Sequence, residues 1–145
     1  MAVSDCIFCQ IAAGTAACAE IYRDNATLAF MDINPANDGH CLVIPKAHFE
    51  NALEMPPALF GTLASAAAKV ARAVNEVLRP GGISLVQANG EAAGQSVIHV
   101  HIHVLPRRAG DGLLLNWSRE GGDEGRFDPH RITGIAERLR SRLNA

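Results

Sequence analysis

The stretch His99-Val100-His101-Ile102-His103-Val104-Leu105 decides how this chain is read. It carries three of the six histidines, at alternate positions in an apolar segment. In an extended strand, side chains at i, i+2 and i+4 share one face. The three imidazoles would then stand on one side, with Val100, Ile102 and Val104 on the other. A helix would spread residues two apart around its circumference, so the alternation predicts a strand. Three adjacent imidazoles add little stability. Their chemistry points to a metal site or to a reaction that uses imidazole as nucleophile and proton carrier.

Outward from this strand, Pro106 is expected to end it, and a polar, glycine-containing loop over residues 89–96 leads into it. Residues 83–87 read as a strand before that loop. Further upstream, Leu59, Leu63, Ala66, Val70, Val74 and Val77 recur at helical spacing. Pro56 and Pro57 suit the first turn of that helix, and Pro80-Gly81-Gly82 ends it. Residues 41–44 form a short apolar strand stopped by Pro45, after the breaker cluster Asn34-Pro35-Ala36-Asn37-Asp38-Gly39. Residues 20–22 and 27–31 read as two strands about the turn Asp24-Asn25, and residues 6–13 as a short helix ended by Gly14. Residues 107–126 read as irregular. Asp128-Pro129 caps a last helix through Leu143. Short adjacent strands with one long helix between them predict an α+β fold with a mainly antiparallel sheet.

At 145 residues and 48% hydrophobic, the chain fits one domain with a real core. Net charge is −2, with no basic excess, which argues against a dedicated nucleic-acid binder. No apolar run approaches the roughly 20 residues of a membrane span. The small-residue stretch at 12–19 lacks the preceding basic residues of a signal peptide, so a cytoplasmic protein is expected. In such a setting Cys6 and Cys9, at C-x-x-C spacing, are half of a metal site or a redox pair rather than a disulfide. His48 and one histidine of the strand could complete a tetrahedral zinc set. Cys18 and Cys41 read as ordinary small residues.

The nucleophile reading asks for other parts. A neutral imidazole attacks phosphorus when a neighbour holds its proton on the far nitrogen. A second histidine can serve the leaving group, and donors must surround the phosphoryl oxygens. Gly94 allows close backbone approach, and Asn89, Gln95 and Ser96 offer side-chain donors beside the strand.

Gly94-Gln95-Ser96-Val97-Ile98-His99-Val100-His101-Ile102-His103-Val104-Leu105-Pro106 resembles the signature of the histidine triad (HIT) family of nucleotide hydrolases and transferases. Asp5-Cys6-Ile7-Phe8-Cys9-Gln10-Ile11 resembles the start of its bacterial members. Phe30-Met31-Asp32-Ile33 and Gly39-His40-Cys41-Leu42-Val43-Ile44-Pro45-Lys46-Ala47-His48 match two further blocks in family order. The resemblance implies a single HIT domain over 1–145, with a core at about 5–107 and a variable tail over 108–145. It also implies a five-stranded antiparallel sheet with a long helix and a C-terminal helix.

The same resemblance assigns roles. His101 would attack phosphorus and carry a nucleotidyl intermediate. His103 would contact the phosphate and serve the leaving group, with His40 behind the triad and the His99 carbonyl orienting His101. Asn89, Gln95 and Ser96 would bind the α-phosphate, and Asp32 the ribose hydroxyls. Ile7, Phe8, Ile11, Phe30 and Ile33 would form the slot for the base, although from residues alone Ile7, Phe8, Phe30 and Ile33 read rather as plain core. Cys6, Cys9, His48 and His99 would hold a structural zinc, with no catalytic metal. Substrates would be adenosine or guanosine phosphate derivatives, phosphoramidates or dinucleoside polyphosphates, handled by a homodimer with neither nucleic acid nor membrane as partner.

Two rivals accompany this reading. One is a hydrolase in which His99, His101 and His103 hold a catalytic zinc. The other is a nucleotide-binding, zinc-stabilised interaction module without turnover. His130 has no role in the resemblance and reads as a solvated residue of the last helix. Trp117 lies in the tail, where a subunit contact and a leaving-group contact are both open.

Overall fold

The computed structural model describes residues 5–113 and His130. The helix expected after Pro129 and the position of Trp117 lie outside the described residues, apart from His130, which is helical and exposed. The chain divides into two compact units at Gly112, and the first contains the whole sheet.

Five strands make one antiparallel sheet. Strands β1 (Glu20–Arg23) and β2 (Thr27–Met31) form a hairpin about Asp24. Strand β3 (Cys41–Pro45) pairs with β2 from Thr27↔Pro45 to Met31↔Cys41. Helix α2 (Pro57–Leu78) follows, then β4 (Gly82–Val86) and β5 (Ile102–Arg107). The order is β1-β2-β3-β5-β4, so β5 slots between β3 and β4 while β4 forms an edge.

Both faces of the sheet are covered. Ala29, Cys41, Val43, Ile102 and Val104 point to α2 and pack on Leu63, Ala66, Ala67 and Val70. Leu28, Phe30, Leu42 and Ile44 point to the other side and pack on Cys6, Phe8 and Ile11 around the short helix α1 (Ile7–Ala13). This explains the unbroken apolar run of β3, which period-two patterning reserves for strands buried on both sides. The helical stripe of α2 is longer than its buried part: Leu59 and Val77 are exposed, because burial follows the sheet beneath and not the periodicity.

Several boundaries differ from expectation by a residue or more, among them the start of β5 and the two prolines. Strand β5 begins at Ile102, so His99 and His101 lie before it. There Val100 N–H donates to Phe49 O at 2.8 Å, taking the chain to a loop rather than to a strand. The alternation survives nonetheless: Val100, Ile102 and Val104 join the α2-side core, while His99 and His101 meet Phe8 on the other side. Pro106 lies inside β5 instead of ending it, two residues beyond Val104, the last β5 residue paired with β3, at Cys41↔Val104. It pairs with Ile83, and its carbonyl accepts from Asn37 Nδ2. Pro45 similarly belongs to β3, at its last position. Proline is tolerated at strand ends because few ladder bonds are lost there.

Candidate active site

The three histidines face the α1 side and have different partners. His101 Nδ1 lies 2.7 Å from His99 O. A carbonyl only accepts, so Nδ1 carries the proton and Nε2 is left with a free lone pair. His101 and His103 rings stand 4.9 Å apart, and Phe8 meets the His101 ring edge-on at 5.4 Å.

His103 is fixed from behind. Ala36 N–H donates to His40 Nδ1 at 3.1 Å, which places the His40 proton on Nε2. That Nε2–H donates to His103 Nδ1 at 2.9 Å. Neutral His103 therefore carries its own proton on Nε2. Burial pushes the His103 pKa down to about 4; His101 and His40 add to the fall, and Asp32 opposes it. Burial lowers His40 too, against the pull of Asp32, whose Oδ2 lies 3.6 Å from His40 Nε2.

Beside His101 and His103 opens a cavity of about 330 Å³. Of the residues expected at the site, it is lined by Ile7, Phe8, Ile11, Phe30, Asp32, Ile33 and Ser96. Phe8, Ile11 and Phe30 are core and cavity wall at once, whereas Ile7 is half exposed and Ile33 is 89% exposed at the rim. Val97, Leu42, Met31, Asn34, Ala17 and Cys18 also line it and were not anticipated. Leu42 could have been found, since it shares a strand face with Ile44. Val97 follows directly on Ser96.

Two expected phosphate donors are occupied elsewhere, and neither lines the cavity. Gln95 Nε2 donates to Glu50 O at 2.6 Å and to Val97 O at 3.0 Å, and its Oε1 accepts from Gly90 N. Asn89 pairs amide to amide with Gln87 and accepts from Ala52 N at 2.7 Å. Both brace the loop, and one Nδ2 hydrogen of Asn89 has no acceptor among the described residues. A buried amide satisfies its donors on nearby carbonyls. Ser96 stays at the cavity, and neither its hydroxyl nor its N–H has an acceptor among the described residues.

A cysteine–histidine set lies behind this wall. The ligand atoms of Cys6, Cys9, His48 and His99 all fall within 4.8 Å of one another. Cys6 Sγ is 3.4 Å and Cys9 Sγ 3.5 Å from His99 Nδ1, and His48 Nδ1 is 3.2 Å from both Cys9 Sγ and His99 Nδ1. A tetrahedral zinc with bonds of about 2.3 Å to sulfur and about 2.0 Å to nitrogen sets its ligands roughly 3.3–3.8 Å apart, so the set fits. His99 Nε2–H donates to Pro45 O at 2.8 Å, which leaves the Nδ1 lone pair for the ion. Burial and Cys6 push the Cys9 thiol up to about 11, a cost that a dication reverses.

A second group, Asp32, His40 and His103, is close enough to hold an ion but does not suit one. Metal on His40 Nε2 would require the proton to move to Nδ1, against the Ala36 N–H. Nor do the three triad imidazoles converge: His99 Nδ1 faces the cysteines, His101 Nδ1 faces a carbonyl, and His103 Nδ1 faces His40.

Comparison with known proteins agrees. A HIT domain model matches residues 14–110. The hit protein of Bacillus subtilis is 40% identical over 140 residues, covering 96% of this chain and 94% of its own. An adenylylsulfatase of Arabidopsis thaliana is 36% identical over 117 residues, or 81% of this chain and 58% of that one. An adenosine 5′-monophosphoramidase of Schizosaccharomyces pombe is 32% identical over 139 residues, or 95% and 98%. A HIT protein structure from Bacillus subtilis superposes with a TM-score of 0.86 at 38% identity, covering 95% and 96% of the two chains. A zinc-bound histidine triad protein from Mycobacterium smegmatis gives 0.73 at 36%, covering 95% and 97%. With matching blocks, fold and site geometry, the chain belongs to the HIT-domain family.

Proposed function

We propose that this protein hydrolyses nucleoside 5′-phosphate derivatives, phosphoramidates or polyphosphates, through a covalent intermediate on His101. The observation that carries the reading is the His101 Nδ1–H bond to His99 O, which leaves Nε2 unprotonated beside the cavity. The Nε2 lone pair forms a bond to the α-phosphorus as the bond to the leaving group breaks. Water then attacks phosphorus, the P–N pair returns to Nε2, and a nucleoside monophosphate is released. His103 Nε2–H and the donors of Ser96 suit the non-bridging oxygens. The apolar walls suit a purine ring, and Asp32 suits the ribose hydroxyls. Relatives that act on adenylyl sulfate and adenosine phosphoramidate, by their names, support the substrate class.

We read the cysteine–histidine set as a structural zinc site, supported by its geometry and by the zinc-bound relative. We place the protein in a reducing, cytoplasmic setting, where Cys6 and Cys9 stay available as ligands. Ion binding at that set leaves the chemistry to His101.

The test is His101→Ala, purified and checked for fold by circular dichroism. We expect hydrolysis of adenosine phosphoramidate and of diadenosine polyphosphate to fall at least about 1000-fold while nucleoside monophosphate still binds. Unchanged turnover in the folded variant would sink the reading. A wild-type protein that binds monophosphate but turns over no substrate would favour the binding module.

A further inference from the structure

We propose that Asn37, locked in place by Asp111 and Arg107, is a positioning residue for the substrate's ribose. The proposal rests on the hydrolase reading, in which Asp32 takes the ribose hydroxyls, and it names what holds Asp32 on the cavity.

Asp32 opens the turn over residues 32–40 that joins β2 to β3. Asp32, Ile33 and Asn34 line the cavity, and residues 33–36 are exposed. Asp32 N donates to His40 O at 3.1 Å, which closes the turn at its base. Asn34 N donates to Asp32 Oδ1 at 2.8 Å and sets the rotation of that carboxylate. Oδ2 has no hydrogen-bond donor among the described residues: His40 Nε2 is 3.6 Å away, and its proton serves His103. Asp32 therefore keeps an acceptor oxygen for a ligand.

An exposed turn is held weakly by its own bonds. The tether comes from Asn37. Its Nδ2 donates to Pro106 O at 2.8 Å and to Asp111 Oδ2 at 3.1 Å, so the amide reaches across to the end of β5 and to the residues after it. His40 N donates to Asn37 O at 3.1 Å, which passes the hold back into the turn. Asp111 is a firm anchor, with a side chain only 6% exposed. Arg107 donates to it twice, from Nε to Oδ2 at 2.7 Å and from a terminal nitrogen to Oδ1 at 2.9 Å, a paired geometry that fixes the carboxylate plane. Arg108 N adds a bond to Oδ2 at 3.2 Å.

Asn37, Arg107 and Asp111 do not line the cavity, so their effect on a ligand passes through the turn. Without the tether, ordering the turn consumes part of the ribose contact. The base slot and Ser96 belong largely to other elements and keep their contacts, so the loss falls on the ribose.

The experiment is a binding cycle with the full chain, read by calorimetry. Adenosine 5′-monophosphate and its 2′,3′-dideoxy analogue are each titrated into wild type and Asn37→Ala, with circular dichroism as the check of fold. We expect wild type to prefer the ribonucleotide by about 10-fold or more, the size of hydrogen bonds to a charged acceptor. In Asn37→Ala the preference should fall to about 3-fold or less, with the dideoxy analogue bound as in wild type. Both oxygens of Asp111 face Arg107 donors, so Asp111→Asn sets an amide against the guanidinium and should move the ratio the same way with Asn37 still present. A preference that persists in the folded variants overturns the proposal alone. Equal weakening of both nucleotides marks a merely structural role and overturns it too. A wild type that binds both nucleotides alike removes Asp32 from the ribose and the proposal with it, while the His101 chemistry stands. No binding of either nucleotide by wild type defeats the hydrolase reading as well.

Discussion

At the scale of the residue, function follows from where each ring puts its proton. His99, His101 and His103 are chemically identical in the sequence, yet a thiol cluster, a carbonyl and an imidazole give them three different tasks. The residues next to them matter as much. Gly39 precedes His40 with φ of +88°, and a Cβ there would overlap Leu78 Cδ1 and sit 3.1 Å from Pro106 Cγ. Gly39→Ala combines a left-handed backbone with this crowding, so a loss of about 1–3 kcal/mol is expected in urea denaturation, with reduced activity because His40 shifts. Asp24 supplies the pH dependence. Burial raises its pKa, but hydrogen bonds from Thr27 N, Tyr22 Oη and Ala26 N outweigh that and leave it at about 2. A carboxylate held below its unfolded pKa of about 3.9 stabilises the fold above that pH, and the contribution fades as pH falls through about 2. Asp24 is part-exposed, so Asp24→Asn should cost only about 1 kcal/mol at neutral pH. The gap between wild type and variant should close at about pH 2, as read by denaturant melts across pH; a gap that persists there contradicts the assignment.

At the scale of the element, the cysteine–histidine set joins α1 to the segments that flank β3 and β5. Cys6 and Cys9 open α1, His48 lies in the loop after β3, and His99 lies in the segment before β5. Each arrives there for a local reason: α1 starts at Cys6 and closes on the left-handed Gly14, and β3 delivers His48 past its terminal Pro45. An ion at this point would tie all three. Exhaustive chelation of the purified protein is expected to lower Tm by about 10 °C or more, a loss of several kcal/mol. Metal analysis should give about one zinc per chain before treatment. A Tm unmoved by removal of bound zinc would contradict a structural role.

At the scale of the whole molecule, the sheet separates two tasks. The α2 face is packed core, and the α1 face is partly core and partly cavity. Among the described residues no helix is long and apolar enough to cross a membrane. Edge strand β4 carries exposed Leu85, and α2 carries exposed Leu59 and Val77. These surfaces accord with the homodimer that the family resemblance implies, which we retain as a proposal. Light scattering at micromolar concentration should then report twice the chain mass, and a monomer there would contradict it.

The sequence by itself determined the elements, because period-two and helical patterns, prolines and glycines act over a few neighbours. The strands, the long helix and the grouping of imidazoles on one face were all legible that way, as was the candidate set Cys6, Cys9, His48 and His99 once the family blocks were recognised. The tertiary structure alone decided which donors are free. Asn89 and Gln95 read as phosphate donors beside the strand, and the fold adds that their amides brace the loop through Gln87, Ala52, Glu50 and Val97, contacts that no local pattern announces. The same holds for Ala36 N–H, a backbone donor with no side-chain signature, which sets the protonation of His40 and through it that of His103. Hydrogen-bond partners and burial are relations between distant residues, so a ring's proton is settled only when the chain has folded around it.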